Sequence, residues 1–131
     1  MSAPFILIST NRMKAGTLEA YRRNLMPELL QVVETNEPRI LGFHVFADEE
    51  GTEIVGVQVH PDANSMLEHL KVVRERITMA YDEYLEATTA IQVLGPPNNA
   101  TLEMIRRMAT PGVSVSVRPV HLGGFTRLAS A

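Results

Sequence analysis

Four histidines, at positions 44, 60, 69 and 121, are the side chains of this sequence best suited to move protons near neutral pH, because imidazole has an unperturbed pKa in that range. Two of them lie in segments of alternating character. Side chains alternate faces along a strand, so Leu41, Phe43 and Val45 share one face while Ile40, Gly42, His44 and Phe46 share the other. In the next such segment Val55, Val57 and Val59 form a wholly apolar set, and Ile54, Gly56, Gln58 and His60 a mixed one. If a hairpin pairs like with like, His44, Gln58 and His60 converge on one face, with Gln92 joining them. Such a patch is either a hydrogen-bonded seam between two subunits' sheets or a surface that meets a ligand. His69 lies beside the apolar stripe of a helical segment, with Tyr81 further along it, and Asn11 and Arg12 close the first apolar run. His69 is therefore a catalytic candidate, and His44, Gln58 and His60 are ligand-binding ones. A metal centre on His44 and His60 has no nearby carboxylate to complete its shell, so no metal is expected. The sequence has no cysteine, which excludes disulfides, thiolate metal sites and a cysteine nucleophile, and no Gly-x-Ser-x-Gly elbow marks a serine nucleophile.

Positioning those residues falls to an alternation of strand-like and helix-like segments. Strand patterns occupy Phe5 to Asn11, Ile40 to Phe46, Ile54 to His60 and Ala90 to Leu94, and helical periodicity fills Thr17 to Glu37 and Ser65 to Glu86. Leu18, Tyr21, Leu25, Leu29, Val32 and Val33 form the stripe of the first helix, with Thr17 as its N-cap and a kink or short break expected at Pro27. The second helix carries a capping box, Ser65 with Glu68, and a stripe of Met66, Leu70, Val73, Ile77, Ala80 and Tyr84. Its basic residues Lys71, Arg74 and Arg76 alternate with Glu68 and Glu75 and read as a solvated face. Asp48-Glu49-Glu50-Gly51-Thr52 reads as the turn of a hairpin.

This βαββαβ order is the ferredoxin-like plan, an α+β fold. Two helices cover one face of a four-stranded sheet, yet these strands are apolar on both faces. A second copy of the same sheet is the simplest cover, which predicts a homodimer organised as an α/β barrel. Residues 1–94 form the core. Residues 95–131 read as an extension of the same domain: a turn at Gly95-Pro96-Pro97, a short helix with Leu102, Ile105 and Met108, a fifth strand around Val113, Val115 and Val117, and a Gly-rich tail. Neither apolar stripe of the extension can stay in water without cost, so the fifth strand is expected to pair with an edge of the sheet, in cis or across the dimer.

At a formal net charge of −3 the chain has no electrostatic reason to bind nucleic acid or an anionic membrane. It has no signal-like N-terminus and no run approaching the ~20 apolar residues of a membrane span, so a cytoplasmic protein is expected.

The run Glu37-Pro38-Arg39-Ile40-Leu41-Gly42-Phe43-His44-Val45-Phe46 resembles the second strand of the antibiotic biosynthesis monooxygenase-like family, and His60-Pro61-Asp62 through His69-Leu70 resembles its strand-to-helix segment. The resemblance spans about residues 5–94 and implies a dimeric α/β barrel. The superfamily includes cofactor-free oxygenases of phenols, haem-degrading oxygenases, isomerases and members without an assigned activity. Carried over residue by residue, the Asn of the haem-degrading members falls near Asn11, but their Trp position is held by His69 and their His position falls near Met79, so haem degradation is not expected. The phenol oxygenases surround an apolar cavity with polar groups, a role open to Asn11, Arg12, His69 and Tyr81, so the resemblance implies Asn11 and Tyr81 beside His69 as catalytic candidates and Arg12 as a further ligand-binding one. The resemblance thus implies a monooxygenase without a cofactor that acts on a small aromatic or phenolic compound. The alternative is a non-catalytic dimeric module. A cavity of several hundred Å³ lined by His or Asn points to the first, and a solid core to the second.

Overall fold

The computed structural model describes residues 3–109 and 111–127. Its strands are β1 (Phe5–Met13), β2 (Gly42–Ala47), β3 (Glu53–His60), β4 (Leu85–Leu94) and β5 (Ser114–Arg118), and its helices α1 (Leu18–Ala20), α2 (Met26–Asn36), α3 (Ala63–Glu83) and α4 (Asn99–Met108), with a π-helical turn at Tyr21–Leu25 joining α1 to α2. The sheet order is β2-β3-β1-β4-β5. The first four strands are antiparallel neighbours in the ferredoxin-like arrangement, and β5 adds in parallel to β4. The expected α+β fold is the one observed, and the fifth strand pairs in cis. Among the described residues no helix is long and apolar enough to cross a membrane.

Pro27 explains the irregular first helix. A proline has no N–H to donate, and it disfavours helical geometry in the residue before it. The break comes one turn earlier than Pro27 itself: Met26 N–H reaches back five residues to the Tyr21 carbonyl, and α2 restarts with Pro27 in its first turn. Thr17 sits at the N-cap position but does not cap, because its hydroxyl donates to the carbonyls of Lys14 (2.7 Å) and Tyr84 (3.1 Å). The capping box of the second helix is also displaced. Asp62 is the N-cap, accepting from the Ser65 amide at 2.9 Å, which frees the buried Ser65 hydroxyl for another partner.

The hairpin register decides which side chains meet. Phe43 lies opposite Gln58, Val45 opposite Gly56 and Ala47 opposite Ile54, so His44 faces the other way, opposite Val57. The expected convergence of His44 with Gln58 and His60 does not occur. Pairing unlike faces puts Phe43 and Val45 under the helices, where they pack against the core, and leaves His44 exposed beside Phe46. A shift of one residue in register exchanges every side chain between faces. The turn itself forms as expected, with Asp48 accepting from the amides of Thr52 (2.8 Å) and Glu53 (3.1 Å) and Gly51 in the left-handed region at φ 71°.

The helix-facing side of the sheet thus presents three successive rows across its strands: Phe43, Gln58, Leu7 and Val93; then Val45, Gly56, Ser9 and Ile91; then Ala47, Ile54, Asn11 and Thr88. α2 and α3 cover these rows. α4 and β5 extend the same core, where Ile105, Val115 and Val117 pack with Phe5, Leu7, Ile91 and Val93. Asn98 caps α4 through the Thr101 amide at 2.8 Å, and the buried Thr101 hydroxyl donates to the Ala63 carbonyl at 3.1 Å, which ties α4 to the start of α3. Gly95 allows the turn before α4: at φ 107° a Cβ there would lie 2.6 Å from the Pro4 carbonyl oxygen.

Candidate active site

A cavity of ≈ 140 Å³ lies between the sheet and helices α2 and α3. This is neither the several hundred Å³ nor the solid core that the sequence left as alternatives. Its walls are mostly aliphatic and aromatic, and its polar groups stand at separate places.

One polar group is His69. Its position three residues after Met66 and four before Val73 puts it in the buried stripe of α3, where it is 2% exposed. Its ring packs on Phe43 at 5.5 Å between centroids. Nδ1 lies 2.9 Å from both carboxylate oxygens of Glu37, which is buried as well. The chain at Glu37 is shaped for this contact. It ends α2 with its N–H bonded to the Val33 carbonyl, and its φ of −126° and ψ of 76° are the non-helical geometry that the following Pro38 demands. A carboxylate only accepts hydrogen bonds, so Nδ1 carries a proton, and in the neutral ring that tautomer leaves the lone pair on Nε2. Nε2 has no partner among the described residues, and no buried side-chain nitrogen or oxygen among them lacks one. Nε2 therefore keeps access to solvent-sized space, and the space His69 borders is the cavity.

The second polar group is a chain of three side chains at the far row. The Thr88 hydroxyl donates to Asn11 Oδ1 at 2.7 Å, and its oxygen is in turn within hydrogen-bonding range of the Tyr81 hydroxyl. Because the single Thr88 hydrogen is committed to Asn11, Tyr81 is the donor to Thr88. The order Tyr81 to Thr88 to Asn11 leaves the Asn11 amide N–H groups as the free end. The pairing of β1 with β4 shifts register between Thr10 and Asn11, the kind of irregularity that re-aims a side chain. Tyr21 also lines the cavity, but burial pushes its hydroxyl up to about 12, so it stays protonated.

Of the residues singled out from sequence, Asn11, Gln58, His69 and Tyr81 line the cavity. His60 does not. It is fully buried beneath, with Nδ1 2.7 Å from the Ser65 hydroxyl and Nε2 3.2 Å from Gln58 Oε1, and burial, reinforced by nearby His69, pushes its imidazole down to about 4. It is a neutral hydrogen-bonding residue. Arg12 is exposed and pairs with Glu86 at 2.8 Å. His44 lies on the opposite sheet face, and Met79 is 41% exposed.

Sequence reasoning missed Glu37, Ser9, Thr88 and Arg76. The charge alternation around Arg76 reads as a solvated face, but its side chain is only 26% exposed, lines the cavity, and holds Glu28 of α2 at 2.9 Å. Its spacing from Val73 and Ala80 was the available signal. Glu37 lies 32 residues from His69 and no local pattern links them.

Neither protein-family models nor curated proteins give a match to the sequence. Solved structures do. MupZ from Pseudomonas fluorescens superposes with a TM-score of 0.71 at 20% identity, covering 97% of this chain and 91% of that one. A protein of Chloroflexus aurantiacus J-10-fl named as a candidate antibiotic biosynthesis monooxygenase gives 0.57 at 18% identity, covering 74% and 96%. A further antibiotic biosynthesis monooxygenase gives 0.54 at 16%, covering 68% and 94%. The chain has the antibiotic biosynthesis monooxygenase fold. At 97% coverage the likeness to MupZ takes in α4 and β5 as well as the four-stranded core.

Proposed function

We propose that the protein is an enzyme of monooxygenase type in which His69 acts as general base on an apolar substrate bearing a weakly acidic hydroxyl. The observation that carries this reading is the buried Glu37–His69 pair, whose free Nε2 borders the cavity. Proton transfer is most effective from a base positioned within hydrogen-bond reach of the proton it removes. The O–H bond of the substrate breaks, its proton goes to Nε2, and Glu37 balances the imidazolium. A ring carbon of the electron-rich anion then forms a C–O bond with dioxygen, the O–O bond and that carbon's C–H bond break, the C–H proton and the proton held on Nε2 leave with the second oxygen atom as water, and the phenol, which supplies the four electrons, becomes a quinone. A cavity of about 150 Å³ with apolar walls holds one benzene ring, so the acidic group is carried by a single ring of phenolic type. This is narrower than a polycyclic substrate.

The test uses 4-nitrophenol, whose anion is coloured. Bound to the wild-type protein below its solution pKa it is expected to appear as phenolate, to lose that colour with His69→Gln, and to weaken it with Glu37→Gln. Failure to bind, or equal ionisation in all three proteins, overturns the proposal.

We also propose that the protein works as a homodimer. The sheet face away from the helices carries Ile6, Ile8, Val55, Val57 and Val59, none fully buried, beside Phe46 at 61% exposure. A second copy of that face is self-complementary under a two-fold axis.

A further inference from the structure

The His69 end of the cavity holds a second polar side chain that the base reading leaves unused. Gln58 is buried, lines the cavity and stands in the sheet row between Phe43 and Leu7. Gln58 and His69 share their neighbours. Phe43 lies opposite Gln58 on β2, and its ring is 5.5 Å from that of His69. The His60 ring is 5.8 Å from the His69 ring, and its Nε2 is 3.2 Å from Gln58 Oε1. The base and the amide therefore flank the same part of the cavity.

The hydrogen bonds beneath fix which way the amide points. Oε1 only accepts, so His60 Nε2 carries the hydrogen that joins the two side chains. His60 is neutral, held at about 4 by burial. It thus has one ring hydrogen, and its Nδ1 accepts from the Ser65 hydroxyl at 2.7 Å. The chain runs from Ser65 to His60 to Gln58, each bond polarising the next. Its free end is the amide nitrogen of Gln58, which has no partner among the described residues, although no buried side-chain nitrogen or oxygen among them is left without one. That nitrogen is therefore open to space, and the space Gln58 lines is the cavity.

Building on the His69 reading, we propose that Gln58 donates a hydrogen bond to the same substrate oxygen that His69 deprotonates. A hydroxyl is the group that an acceptor and a donor side by side would select. Its hydrogen goes to His69 Nε2, and its oxygen accepts from the Gln58 amide. Once the proton has moved the oxygen is anionic, and the amide bond to it becomes charge-assisted and roughly twice as strong. The contact is thus stronger to the anion than to the phenol, so it promotes ionisation and does more than tighten binding. It asks for no room beyond the single ring. Gln58 touches the reacting oxygen and is a catalytic residue on this account, with His60 and Ser65 as positioning residues behind it.

The absorption band of bound 4-nitrophenolate reads this contact, because a hydrogen bond to the phenolate oxygen moves the band to shorter wavelength. Above the solution pKa the anion is supplied ready-made, and its band in the wild-type protein should lie at shorter wavelength than in Gln58→Leu. The bound phenol's pKa should rise by about one unit in that variant. His60→Leu, which frees the amide to turn, should move the band part of the way. If Gln58→Leu folds poorly, the side-chain amide resonance of Gln58 in the wild-type protein scores the same contact, moving downfield as phenolate binds. A band at the same wavelength in wild type and Gln58→Leu, or an amide resonance that phenolate leaves in place, overturns the donor, as does a shift of the opposite sign, which would mean that the amide presents its carbonyl. A band unmoved by His60→Leu overturns the positioning chain. The base is scored separately, below the solution pKa, by ionisation that His69→Gln abolishes. A Gln58-dependent band without that ionisation keeps the donor and removes the base, and ionisation with a Gln58-independent band does the reverse. Absence of binding at either pH overturns both.

Discussion

At the scale of single residues, the two buried histidines have opposite tasks although they lie side by side. His69 has a carboxylate partner, Glu37, whereas His60 has only neutral ones, Ser65 and Gln58. The consequence for His60 appears in the pH dependence of stability. Its imidazole is held at about 4 in the folded chain, against an ordinary value near 6.5 when unfolded. Above about 6.5 neither state is protonated and nothing is lost. As the pH falls from about 6.5 to 4 the unfolded chain takes up a proton that the folded one refuses, and stability declines by roughly 3 kcal/mol before levelling off. Denaturant midpoints measured across that window should show the decline in wild type and a shallower one in His60→Gln. An unchanged slope in the variant would assign the acid sensitivity to other groups. Residue type pointed to His69 and the family resemblance to Asn11 and Tyr81, and all three line one cavity. Glu37 stayed hidden because its role depends on a turn imposed by Pro38 and on a contact between distant parts of the chain, neither of which leaves a periodic trace.

At the scale of elements, the strands and helices were legible because their apolar residues repeat at the spacings of exposed-to-buried surfaces. The departures have local causes. β4 begins at Leu85 rather than Ala90, since Leu-Glu-Ala suits a helix by propensity and only the pairing with Arg12 and Met13 of β1 makes it a strand. The β2–β3 register depended on which faces are buried, which two short alternating segments do not specify by themselves. α4 and β5 were visible as amphipathic stripes, and what they cover is now defined: Ile105 is 2% exposed and packs with the central strands. Ile105→Ala should therefore lower stability by about 2–5 kcal/mol in equilibrium denaturation. Deleting residues 95–131 should go further, exposing Phe5 and Val93 and freeing the β4 edge, with aggregation as the visible result. A truncated chain with unchanged melting temperature and solubility would show that the extension only tethers.

At the scale of the whole molecule, one layer of helices on a five-stranded sheet leaves the second face uncovered. That face mixes valines and isoleucines with the exposed Phe46, His44 and Gln92, a composition suited to an interface with an apolar centre and a polar margin. Sedimentation at micromolar concentration should give a dimer, and Val57→Arg, placed in the middle of the face, should give a folded monomer. A monomeric wild type would remove the basis for a barrel built from two sheets. The same architecture has a further consequence, for the making of the chain. β1 lies between β3 and β4, so the earliest-made of these five strands occupies the middle of the finished sheet. Its two neighbours begin at Glu53 and Leu85, and at 5–20 residues per second the second of them follows Phe5 by roughly 4 to 16 s. Throughout that interval a strand of Phe, Ile and Leu has unpaired backbone on at least one side. The nascent chain is thus most open to chaperones and to mispairing before β4 emerges, and the cavity, which needs Asn11 from β1, Thr88 from β4 and Ile105 from α4, is completed only after that exposure has ended.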